Sequence, residues 1–324
     1  MNFSTKDFEE NIIKKFEDDI KNIFMIQDYL ILGDLKECNT LIEDIFIKNK
    51  EEKLISKNIG SFSIVINTKF LLISKRDLKT IFPKIYNFLL WFSKNIKSVK
   101  SFIFSYIKEL LSLINLVLLF NDNITFYSLK KKILLLDIIN KDNKDILINE
   151  YFFTCMSNKK LRKSAISWDY KYFLFDNFKN DILTEEKSDK TNSEYIYNLL
   201  KDELDILGLK KEIIVDNIFI QNDLKIINEI NNVQSRNCHM WAYLRKVYNK
   251  VNKEEKILIL LYAFLILRKC SFDYSAFSFI VNSKKNMPLK KEQIEKLISE
   301  IKKASIIKYD EHKCYIDNLE NYLY

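Results

Sequence analysis

An all-α fold of stacked helical hairpins is predicted by three observations. The 324-residue chain holds only 3 glycines and 2 prolines, whereas sheet-rich folds of this length need many more at their turns. Apolar residues recur at helical spacing through most of the chain. A short motif, a small polar residue followed four positions later by a bulky aromatic, recurs four times. Hydrophobic residues make up 48% of the chain, which supplies a sizeable core and excludes general disorder.

The elements follow in order. Residues 8–28 place Phe8, Ile12, Phe16, Ile20, Ile23 and Phe24 on one helical face, and a second helix is expected over 34–47. The stretch 59–72 is ambiguous, since Ser61 to Ile66 alternates like a strand. Phe62, Ile66 and Phe70 keep an i, i+4 spacing, so helix is preferred. Helices are expected over 84–96 and 101–120, the latter apolar nearly all round and therefore interior. Further helices are expected over 124–140 and 144–156. A basic loop over 157–163 precedes a helix over 164–178. The polar run 184–193 reads as a loop or insertion. Helices starting at Glu194 and Asp223 follow, then helices over 253–268 and 291–303. The run from Ile257 to Leu267 is the longest apolar one; it is too short to span a bilayer and fits a buried helix.

Composition narrows the function classes. The 52 basic and 44 acidic residues are read as mixed along the chain, the pattern of a solvated helical surface rather than a nucleic-acid face. Cys38, Cys155, Cys238, Cys270 and Cys314 are widely spaced and only two histidines exist, so no metal set is readable from spacing. The cysteines read as reduced thiols of a cytoplasmic protein, and no signal peptide or transmembrane segment is expected. No catalytic triad, glycine-rich phosphate loop or paired-carboxylate motif is present to make a lone enzyme.

The four motif copies superimpose on Tyr127, Trp168, Trp241 and Phe277. Four residues earlier stand Asn123, Ser164, Asn237 and Asp273, each suited to cap a helix N-terminus. Three residues after each aromatic stand Lys130, Lys171, Leu244 (with Arg245 beside it) and Ile280. The aromatic is read as packing against the preceding helix of its own hairpin. Because neither helix buries its apolar face alone, hairpins stack into a solenoid.

Arg236-Asn237-Cys238-His239-Met240-Trp241, Lys163-Ser164 with Trp168 and Lys171, and Asn123 with Tyr127 and Lys130 together resemble the repeat of protein prenyltransferase alpha subunits. Asp273-Tyr274-Ser275-Ala276-Phe277 is the weakest copy. Order and spacing look most like a divergent member of that family. The resemblance implies a right-handed α-α superhelix, similar to tetratricopeptide arrays. It places a helical extension over 1–104 on repeats over 105–324, with the insertion near 184–193. It further implies a heterodimer. The β chain would hold the zinc ion that activates the acceptor protein's cysteine for attack on an isoprenyl diphosphate. This chain would bind no cofactor by itself and be inactive alone. Farnesyl and geranylgeranyl transfer both stay open. The alternative is a non-catalytic α-solenoid adaptor that kept the scaffold and lost the chemistry.

By motif position, Arg236 is the candidate for the diphosphate, with a surface or interface salt bridge as the other reading. Lys163 is a second candidate for a face turned to the β chain; otherwise it belongs to an exposed basic loop. Asn237 reads first as a cap and second as an interface hydrogen bonder. His239 reads as a structural or interface residue, and Arg245 as a substitute for the motif arginine absent at Leu244. Tyr127, Trp168, Trp241 and Phe277 read as packing residues.

Overall fold

The computed structural model describes residues 55–59, 62–66, 71–73, individual positions between 83 and 118, and residues 121–136, 144–183, 190–209, 218–233 and 236–306. It also describes a few positions between 319 and 323. The helices expected over 8–28 and 34–47 lie outside these residues. The chain divides into two compact units, Met1–Asn140 and Lys141–Tyr324. The boundary expected at 104/105 lies inside the first.

In the first unit, the helix expected over 59–72 is replaced by an antiparallel three-stranded sheet. Strands β1 (Ile55–Ile59), β2 (Phe62–Ile66) and β3 (Leu71–Ile73) pair in that order. The register sets Ile59 opposite Phe62, and Val65 opposite Leu72. Period-2 alternation and β-branched Ile and Val override the i, i+4 coincidence of Phe62, Ile66 and Phe70. The described residues of 84–96 and 101–120 are largely helical, with Leu89, Phe92, Leu110, Ile114 and Leu118 buried. Helix α1 (Ile124–Leu135) stops short of the expected Asn140.

The second unit contains α2 (Lys144–Lys160), α3 (Ala165–Leu183), α4 (Lys190–Leu207), α5 (Ile218–Val233), α6 (Cys238–Tyr248), α7 (Lys253–Lys269), α8 (Tyr274–Ser283) and α9 (Lys291–Ile306). Together with α1 they make the described part of the protein predominantly helical. Three boundaries differ from expectation. Residues Ser157 to Lys160 close α2 rather than forming a loop. Residues Lys190 to Ser193 open α4, while 184–189 lie outside the described residues. Asp223 is not a helix start but an interior residue of α5.

Helices α2 and α3 form a hairpin. The pairs Ser157–Ser167 and Cys155–Lys171 step away from the turn together, as in an antiparallel arrangement. Helices α3, α6 and α8 pack in sequence order as one row, and α2, α5 and α7 as the other; α4 packs on α5, α7 and α9. The core runs through α7, whose Ile257 to Leu267 are all buried. A helix apolar on every side is stable only inside other helices. Its N-terminus is fixed by a capping box: Asn252 Oδ1 accepts from the Glu255 amide, and Glu255 Oε2 from the Asn252 amide, both at 2.9 Å.

Candidate functional site

The motif residues meet at the N-terminal ends of α3, α6 and α8. Each helix, like α1, is capped by its small polar residue. Asn123 Oδ1 accepts from the Thr125 amide at 2.8 Å, and Ser164 Oγ from the Ser167 amide at 2.9 Å. Asn237 Oδ1 accepts from the Met240 amide at 3.2 Å, and Asp273 Oδ1 from the Ser275 and Ala276 amides. Such residues satisfy backbone N–H groups that have no intrahelical partner.

One carbonyl joins two of these helix starts. The Arg162 oxygen accepts from the Trp168 indole at 3.1 Å and from the Asn237 side-chain amide. Asn237, 1% exposed, is therefore both a cap for α6 and a tie to the turn before α3. The bond brings exposed Lys163 and exposed Arg236 to the same edge of the unit. Arg236 adopts φ 62°, the one positive φ among described non-glycine residues. Its guanidinium carbon lies 4.6 Å from the centre of the Phe272 ring, just ahead of α8. Lys246 of α6 and Lys250 of the turn after it pair with α3 on the outside, Lys246 with Asp169 at 3.0 Å and Lys250 with Asp176 at 3.3 Å; at this exposure each contributes at most about 1 kcal/mol.

The aromatics reach forward to the next copy. Trp168 lies 5.4 Å from Tyr243 of α6, and Trp241 lies 5.3 Å from Phe279 of α8 and 6.1 Å from Tyr262 of α7. Packing against the preceding helix of the same hairpin is therefore only part of their role. In the last copy, Phe279 is the fully buried ring, whereas Phe277 is half-buried and lies between Tyr274 and Tyr322. Tyr127 is buried in the first unit.

The position three residues after the aromatic is interior in all four copies. Lys130, Lys171, Leu244 and Ile280 are each at most 1% exposed. Lys130 Nζ donates to Asn115. Arg245 points elsewhere: its guanidinium donates to Ser278 Oγ at 3.4 Å, while its buried Nε has no partner among the described residues. His239 is half-exposed and Cys238 exposed in the first turn of α6.

Lys171 anchors a buried polar cluster across four helices. Its Nζ lies 2.8 Å from Asp223 Oδ1 and 3.3 Å from Cys155 Sγ, and sits 4.3 Å from the centre of the Tyr151 ring. Tyr151 donates to Asp223 Oδ1 at 2.8 Å and Tyr243 donates to Oδ2. Burial works hardest against the Lys171 ammonium, but Asp223 and Cys155 together outweigh it and hold the pKa above the ordinary value. Burial, then the Asp223 charge, pushes the Tyr151 and Tyr243 hydroxyls well up. Burial also raises the Cys155 thiol, against the opposing pull of Lys171. A protonated lysine, a carboxylate and two neutral phenols satisfy one another without water. The sequence carried one sign of this cluster, an acid at 223 between Ile220 and Ile227 on the apolar face of a helix. Its partners could not be named without knowing which hairpins are neighbours.

Among the described residues, no group of three or more His, Cys, Asp or Glu is placed to hold a metal ion, and no helix is long and apolar enough to cross a membrane. No protein-family model matches this chain, and neither does any curated protein.

Proposed function

We propose that the chain is a non-autonomous helical-repeat subunit, the alpha-like partner in a heterodimeric protein prenyltransferase. The supporting observation is the double use of Asn237. By capping α6 and holding the Arg162 carbonyl, it sets two motif copies side by side and presents Lys163 and Arg236 together. In this reading the hairpins continue as a right-handed α-α superhelix. Arg236 and Lys163 face the β chain and add positive potential where a diphosphate leaves. The partner chain supplies the zinc ion and the cysteine-activating chemistry. The acceptor is a protein cysteine, and the isoprenoid is farnesyl or geranylgeranyl.

The adaptor reading draws on a different observation. Position three after the aromatic is interior in every copy, so Lys130 and Lys171 serve the core rather than a ligand. A repeat scaffold of this kind needs no chemistry to persist.

Co-purification from cells separates the two. The alpha-like reading expects a stoichiometric prenyltransferase β chain that is lost with Lys163→Glu/Arg236→Glu. It expects prenylation of a cysteine-containing acceptor only when both chains are present. Recovery of other partners and no β chain overturns it in favour of the adaptor.

A further inference from the structure

Charge is not evenly mixed along the chain, contrary to expectation. Residues 236–290 hold eleven basic and three acidic residues, a net +8, equal to the formal net charge of the whole chain. Two of the three acids are buried in structural duty: Glu255 in the α7 capping box and Asp273 as the α8 cap. Only Glu254 remains exposed. Part of the positive charge is used internally, since Lys246 and Lys250 pair with α3, and Arg268 pairs with Asp202 and Glu203 of α4.

Four of the remaining eight basic residues gather at the end of α6 away from Arg236. Tyr248, the last residue of α6, donates to the Asn286 carbonyl at 3.0 Å in the turn after α8. Lys256 Nζ lies 5.6 Å from the centre of the same ring. Lys253 stands one turn earlier on the same face of α7, and Lys284 and Lys285 lie in the 3-10 turn that Tyr248 holds. None of these four lysines forms an ion pair among the described residues. Lys253 and Lys256 even sit in the first turns of α7, where the helix dipole disfavours cations.

We propose that this surface docks an acidic segment of a partner protein. Three features choose that occupant over other polyanions. The ring at its centre, Tyr248, is 1% exposed, so it offers no platform for stacking bases. Of the apolar residues in the adjoining turns, Val251 and Leu289 are buried and Met287 and Pro288 half-buried, which leaves little to insert into a lipid interface. The charges are lysines, compact point charges suited to single carboxylates, without the planar fork that matches phosphate. The surface is separate from the edge carrying Arg236 and Lys163, so it stands whether or not the prenyltransferase reading does.

The test uses the full chain and a short poly-glutamate peptide. Binding is expected at low salt and falls steeply between about 50 and 200 mM salt. Reversal of Lys253, Lys256, Lys284 and Lys285 to Glu is expected to weaken it at least about tenfold. A charge-matched control, reversal of the exposed Lys132, Lys201, Lys269 and Lys296 to Glu, keeps most of the binding, and circular dichroism checks that both variants fold. The proposal is overturned by no peptide binding at low salt, or by equal losses in the two variants. It is also overturned if duplex DNA or phosphatidylserine vesicles of equal charge concentration bind more tightly than the peptide. If the four-lysine variant does not fold, Lys284→Glu/Lys285→Glu alone carries the test, with a loss expected and no loss overturning.

Discussion

Asn237 donates its side-chain amide to the backbone carbonyl of Arg162, 75 residues earlier in the chain. The same side chain accepts the Met240 amide at 3.2 Å. One residue thus holds a helix start and fixes its neighbour. Asn237→Ala removes both bonds, and a loss of about 2 kcal/mol is expected from about 1 kcal/mol each, the Arg162 carbonyl keeping its bond from the Trp168 indole. Asn237→Asp keeps the cap and loses the donor, so it falls between. Urea unfolding of the three proteins measures the ordering; an aspartate variant as weak as alanine contradicts the separate roles.

Lys171 and Asp223 lie 2.8 Å apart with side chains at most 1% exposed. Lys171→Met leaves a buried carboxylate without its cation, and about 3–5 kcal/mol of destabilisation is expected. Lys171→Met/Asp223→Leu removes both charges and recovers much of that loss. Denaturant midpoints across this double-mutant cycle give the coupling.

The same cluster sets an alkaline limit. Tyr151 and Tyr243 have folded pKa values raised above the ordinary 10.0, and Lys171 above 10.5. A raised folded pKa contributes stability that is fully present below the unfolded value and lost as pH rises through the folded one. Melting temperature is expected to begin falling as pH passes 9.0, the ordinary value of the Cys155 thiol that burial raises, and to fall further as pH passes 10.0. Tyr151→Phe/Tyr243→Phe has a lower melting temperature at pH 8 and a shallower alkaline fall. An unchanged slope in the variant removes these tyrosines from the account.

Phe277 and Phe279 give a direct comparison. Phe279 packs 5.3 Å from Trp241 and is fully buried, so Phe279→Ala is expected to cost about 3–5 kcal/mol. Phe277 is half-buried beside Tyr322, and its alanine variant costs roughly half as much. Thermal unfolding of each variant decides which ring serves the last copy.

The sequence supported some features better than others because their causes have different ranges. Capping depends on residues within four positions, so Asn123, Ser164, Asn237 and Asp273 could be assigned from local pattern alone. Burial of the run from Ile257 to Leu267 followed from its having no polar face. An acid ahead of apolar residues looks like a cap; Lys171, fifty-two residues away, with Tyr151 and Tyr243, explains Asp223 inside the helix. The strands were missed because five-residue runs such as Phe62–Ile66 satisfy helical and strand spacing together, and pairing with β1 and β3 settles the choice. The shift from Phe277 to Phe279 goes with a different neighbour, since Phe277 meets the Tyr322 ring rather than the aromatic of another copy.

The left-handed backbone at Arg236 has a consequence for substitution there. At φ 62° a glycine would be more comfortable than any side chain with a Cβ. Replacing Arg236 by Gly should therefore leave the fold as stable or slightly more so, while taking away the guanidinium. At this place the arginine gives up backbone comfort and gains the face of the Phe272 ring, 4.6 Å from its guanidinium carbon.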